Sequence, residues 1–151
     1  MFMALPSDMS RLCFGHRSRM TARAVTRAFN ARLRPLNLQI TQYILLGVLA
    51  QGQDLSIAAL ADQLDLEPSA LSRNLRLLQG RGLIEIAGGR GPKGLRQTVT
   101  PAGLALLEAG VPIWNAIQAD LSRALEGQAE AVRAALTTLE AAALSLDQPR
   151  S

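Results

Sequence analysis

Four residues close together in the chain carry side chains suited to reading a nucleic acid: Ser69, Ser72, Arg73 and Arg76. Placed on a helix, they gather opposite Leu71, Leu75 and Leu78, whose i, i+4, i+7 spacing makes an apolar stripe. A guanidinium fork can pair with two acceptors of guanine, and a serine hydroxyl tolerates several base edges, so this face suits a major groove. An amphipathic surface helix with two ordinary arginines is the alternative. A second cationic group follows, with Arg90, Lys93 and Arg96 set among Gly88, Gly89, Gly91 and Gly94. Glycines let a backbone come close to DNA, so this segment is expected to touch phosphates or a minor groove. The alternative is a solvated loop.

Other chemistries find less support. The single cysteine, Cys13, has His16 at i+3 and Arg17 at i+4, and nearby cations favour a thiolate. A buried structural cysteine is the competing reading. One Cys and one His cannot supply the usual ligand set of a zinc site. No nucleophile–base pair, carboxylate dyad or phosphate-cradling loop stands out. No enzyme activity, metal or cofactor is therefore expected. The apolar start Met1–Pro6 is short and no apolar run reaches spanning length, so neither a secretory signal nor a membrane contact is expected, and the expected compartment is the cytoplasm.

The elements that must position these groups are mostly helical. The chain has 151 residues, 48% apolar, 19% charged and only 3% aromatic, the composition of one globular, helix-rich unit. Its formal net charge of +4 is unevenly spread. Seven arginines stand against Asp8 up to Arg34, residues 35–66 are acidic, residues 67–100 are basic and residues 101–148 acidic. Such blocks suit a molecule with one face for a polyanion.

Ala22, Val25, Phe29 and Leu33 mark a first helix from about Asp8 to Arg34, ended by Pro35. A second, apolar nearly all round and so expected to be buried, runs from Thr41, its expected N-cap, to Gln51. Gly52 closes it, and Asp54-Leu55 suggests a short strand. Ser56 caps a third helix with Ile57, Leu60, Ala61 and Leu64 inward; Asp65-Leu66-Glu67 turns the chain, and Pro68 opens a fourth that runs to about Arg81, with Gly82 as its left-handed cap. Leu83–Ile86 and Leu95–Val99 read as a β-hairpin. Thr100-Pro101 opens a long helix with a stripe at Leu104, Leu107, Val111, Trp114, Gln118, Leu121 and Leu125, in which Pro112 predicts a kink. After Gly127 a last helix carries Val132, Leu136, Leu139, Ala143 and Leu146. The fold class expected is mainly α with a small β-hairpin wing, a winged helix-turn-helix.

Several segments together resemble the MarR family of regulators. They are Pro35-Leu36-Asn37-Leu38 with Thr41-Gln42-Tyr43, then Leu55–Ala61, Ser69–Leu75, Gln79–Ile84 and Leu95–Gly103. The likeness spans about residues 10–125, and its strength lies in the order of weak motifs. It implies a single unit over 8–147, with a DNA-binding lobe at 36–100 and dimerisation helices at 8–34 and 101–147. It implies a homodimer on double-stranded DNA, acting as a repressor on a pseudo-palindrome and released by a small-molecule effector or by cysteine oxidation. Wings of the family usually carry an Asp-x-Arg pair; here Gly91-Pro92-Lys93 stands nearest, which leaves open a ligand-binding or protein-interaction module with weak DNA affinity. An aromatic or phenolic acid would find an anion partner in Arg17, apolar walls in Met20 and Trp114, and an amide in Gln118. Packing is the alternative for each, and Gln118 could equally fix dimer register. Cys13 resembles the peroxide-sensing cysteine of one branch, although Phe29 and Ile40 stand where supporting tyrosines are expected.

Overall fold

The computed structural model describes residues 11–52, 55–88 and 94–146. Helix α1, Phe14–Leu33, opens where the Cys13 sulfur accepts the His16 N–H at 3.5 Å. It buries Phe29 and Leu33, while Ala22 and Val25 are exposed, so its apolar stripe meets the core only at the C-terminal end. A 3-10 turn, Arg34–Leu36, ends at Asn37 in the left-handed region, φ 51°, a conformation that asparagine tolerates better than most residues.

Helix α2, Ile40–Ala50, has Gln39 as its N-cap. The expected cap, Thr41, lies inside the helix. The reason is a set of partners: Ile40 N–H donates to Asn30 Oδ1 at 2.8 Å and Gln39 N–H to Gln42 Oε1 at 3.0 Å. Those bonds satisfy two N–H groups that a helix start leaves orphaned. Tyr43, Leu45, Leu46 and Leu49 are buried, but Ile44 points outward and is 46% exposed, so the helix is not enclosed all round.

Helix α3, Ile57–Gln63, is capped by Ser56, whose Oγ accepts from Ala59 N–H at 3.1 Å. Leu55 is not in a strand, and Asp54 lies outside the described residues. Leu66 N–H donates to Ala61 O at 2.9 Å, and Asp65 takes φ 49°. This is a left-handed helix stop, and it sets the corner into α4, Pro68–Gly80. Strands β1, Ile84–Gly88, and β2, Leu95–Val99, pair antiparallel from Ile84 opposite Val99 to Gly88 opposite Leu95. Helix α5, Pro101–Ala124, runs on through Pro112, and α6 spans Ala129–Leu146. Between them Glu126 and Gly127 both have positive φ, 48° and 86°.

The order helix–turn–helix–hairpin, flanked by long helices, is the winged arrangement expected. The chain divides into two compact units, Met1–Ile113 and Trp114–Ser151. The core of the first is built on Leu33, Leu45, Leu46, Leu60, Leu71, Leu78 and Ile84. In the second, α6 buries none of its residues, and Leu136, Leu144 and Leu146 are exposed. Leu104 and Val111 of α5, in the first unit, are exposed too.

Candidate nucleic-acid interface

Helix α4 is seated by its leucines. Leu71, Leu75 and Leu78 are buried, at 0%, 3% and 0% exposure. Its end is fixed by Gly82 at φ 69°, with Gly82 N–H bonded to Gln79 O at 2.9 Å and Leu83 N–H to Leu78 O at 3.0 Å, the paired bonds of a left-handed glycine cap. Arg81 adds a long-range tie: its guanidinium donates to Asn37 O at 2.6 Å and Leu36 O at 3.1 Å. Midway along, Asn74 Nδ2 donates to Ala70 O at 3.1 Å and its Oδ1 accepts from Gln42 Nε2 at 3.4 Å.

On the outer side Ser69, Arg73 and Arg76 are exposed and Ser72 is half-buried at the edge. Among the described residues neither Arg73 nor Arg76 has a hydrogen-bond or ion-pair partner. Sequence and structure therefore place these groups on one face, and two guanidinium forks there are available to a ligand.

In the hairpin, Arg96 stands opposite Ala87 and is exposed. Arg90 and Lys93 lie outside the described residues. Gly88, φ 86°, comes so near Gly94 that a Cβ would sit 2.8 Å from the Gly94 carbonyl oxygen. The hairpin base is tied by Thr100, whose hydroxyl donates to Gly82 O at 2.6 Å and accepts from Gly103 N–H at 3.1 Å. Thr100 N–H also donates to Leu83 O at 3.0 Å. One residue thus links the end of α4, the hairpin and the start of α5.

Two glycines let α5 lie against this lobe. A Cβ on Gly103 would stand 2.1 Å from Leu83 O, and one on Gly110 2.3 Å from the Tyr43 ring. Tyr43 Oη donates to Leu107 O at 3.2 Å, and burial pushes its phenol pKa above the usual value. Gly110 had no recognisable signal in the sequence, because its partner lies in another helix.

Of the ligand and redox candidates, Cys13 is exposed in the single chain. His16, Arg17 and Met20 are exposed as well. Trp114 and Gln118 belong to the second unit; Trp114 is exposed and Gln118 half-buried. None of these six lines the groove of about 710 Å³ that lies within the first unit, where α1, α2 and α4 supply Arg27, Asn30, Gln42, Leu77 and Arg81, joined by Arg34. Among the described residues no group of three or more His, Cys, Asp or Glu could hold a metal, and no helix is long and apolar enough to cross a membrane.

Comparison with known proteins bears on the same elements. A profile of the MarR family matches residues 36–93. The M. tuberculosis transcriptional regulator MosR is 31% identical, with a TM-score of 0.80 over 90% of this chain and 98% of that one. Its structure in complex with DNA gives 28% identity and a TM-score of 0.79 over 90% and 99%. A M. tuberculosis MarR family protein in complex with salicylic acid is 25% identical, with a TM-score of 0.63 over 83% and 95%. No curated protein sequence matches the chain.

Proposed function

Because the chain belongs to the MarR family of winged helix transcriptional regulators, we propose that it binds double-stranded DNA as a homodimer and represses transcription from a pseudo-palindromic operator. The observation that carries this reading is the outer face of α4. Ser69, Arg73 and Arg76 are exposed there, both arginines lack a partner among the described residues, and three buried leucines hold the helix from behind. In a helix-turn-helix the N-terminal half of the second helix reads base edges, and dimer half-sites lie about one helical turn apart. The wing, with Arg96 and with Arg90 and Lys93 beyond the described residues, adds phosphate or minor-groove contacts. The MosR complex with DNA supports this use of the fold.

Dimerisation is supported by apolar side chains left open in the single chain, with Leu136, Leu144 and Leu146 on α6 and Leu104 and Val111 on α5 exposed. Release from DNA is assigned to a small effector or to oxidation of Cys13. The relative with bound salicylic acid supports the first route, with Arg17, Met20, Trp114 and Gln118 as the ligand candidates. For the second, the exposed Cys13 is open to peroxide, which converts a thiol to a sulfenic acid and leaves water; His16 and Arg17 are its neighbours in α1. The chain is read as a binding protein of the cytoplasm, without catalytic activity of its own.

Selection of binding sites from random DNA, followed by footprinting, tests the reading. A protected dyad with half-sites about one turn apart is expected. A chain that enriches no site is instead an interaction module, the reading that the missing Asp-x-Arg pair in the wing favours. Repeating the selection after peroxide and with aromatic acids separates the two release routes. If peroxide leaves binding untouched, Cys13 is not a sensor.

A further inference from the structure

We propose that Arg27, in the C-terminal half of α1, and Arg34, in the 3-10 turn that follows it, hold a backbone phosphate of the bound duplex in the groove between α1, α2 and α4. This rests on the DNA-binding reading and extends the contact surface beyond α4 and the wing, to a helix expected to serve dimerisation and the response to an effector.

The groove has a volume of about 710 Å³, and its lining contains three arginines and several side-chain amides but no carboxylate. Arg81 is committed to the Leu36 and Asn37 carbonyls. The side chains of Arg27 and Arg34 are exposed and, among the described residues, have neither a hydrogen bond nor an ion pair. Two unpaired guanidinium groups beside amide donors form a concave site of the sign and geometry that a phosphodiester needs.

The position of the groove matches the occupant. Ser69, Arg73 and Leu77 of α4 and Arg81 at its C-cap follow one another at four-residue spacing, so they form a single slowly turning row. The row starts on the face proposed to read bases and ends in the groove, which Leu77 and Arg81 line. A helix with its side chains is about 10–12 Å across, and a major groove is about 12 Å wide. When α4 lies in that groove, the sugar–phosphate strands pass along its flanks. The groove between α1, α2 and α4 is on one of those flanks.

The test uses the full chain, a duplex recovered by selection and an unrelated duplex of equal length. Affinities are measured between about 50 and 200 mM salt for wild type and for Arg27→Gln with Arg34→Gln. Loss of that phosphate contact makes the plot of log affinity against log salt shallower by about 1, and weakens binding to both duplexes alike. The thermal midpoint of the variant should stay at the wild-type value, since neither side chain has a partner to lose. Arg27→Lys with Arg34→Lys keeps the charges and should keep the wild-type slope. An unchanged slope with DNA binding intact overturns the proposal, as does a loss confined to the selected duplex. A wild-type chain that binds neither duplex overturns the regulator reading itself, and this inference with it.

Discussion

At the scale of single residues, Tyr43 joins local chemistry to stability. It is the only tyrosine, its ring packs under Gly110, and its hydroxyl bonds to Leu107 O. Burial raises its pKa, because the phenolate loses more hydration in the folded state than the phenol does. With the folded pKa above the unfolded value, the stability it contributes is complete below about pH 10 and is lost as pH rises through the folded pKa. Alkaline melting curves should therefore fall off above about pH 10, and Tyr43→Phe should flatten that decline while losing about 1 kcal/mol at neutral pH. Ultraviolet titration of the phenolate reads the single site directly; a midpoint at or below the free-tyrosine value would refute the sign. Arg73 belongs to the same scale. Its replacement by Ala should cost about 1–3 kcal/mol in affinity for a selected site and relax one base position, leaving the fold intact. Selection with the variant would expose a wrong assignment by returning an unaltered consensus.

At the scale of elements, three helical glycines predict opposite outcomes for one substitution. Alanine gains up to about 1 kcal/mol over glycine inside a helix, through backbone entropy. At Gly47 in α2 nothing lies within 4 Å of a new Cβ, so Gly47→Ala should raise the melting temperature. At Gly110 the Cβ would meet the Tyr43 ring, and at Gly103 the Leu83 carbonyl at 2.1 Å. Overpacking costs of about 1–3 kcal/mol then exceed the helix gain. The Gly103 change should be the worse of the two, because the atom in its way is backbone and cannot rotate aside. Thermal melts of the three variants rank them, and a stabilised Gly103→Ala would mean that α5 does not approach the hairpin base as closely as described.

At the scale of the molecule, large apolar side chains are left open on each of the two units. Phe14 is 73% exposed and Leu146 is 82% exposed, with Leu136 and Val111 in the same condition. Exposed large apolar side chains on each unit suit an interface, and a symmetric pair is the commonest use. Leu136→Glu should give a folded monomer by light scattering whose DNA affinity falls toward the non-specific range, because one recognition helix cannot span two half-sites. A variant that stays dimeric would place the interface elsewhere.

The sequence by itself determined what depends on neighbours along the chain. The leucine stripe of α4, the glycine stop at Gly82, the cap at Ser56, the paired strands and the Thr100-Pro101 helix start are all legible, because helix and strand periods and capping chemistry act over a few residues. Those same signals placed Ser69, Arg73 and Arg76 outward. Tertiary structure alone decided the rest. Asn30 moved the start of α2 ahead of Thr41, Arg81 reached back to Leu36 and Asn37, Gly110 made room for Tyr43, and Arg27 and Arg34 came to border α4. Each of these depends on groups far apart in the chain meeting in space. No local period encodes such a meeting, and only packing of the whole lobe brings it about.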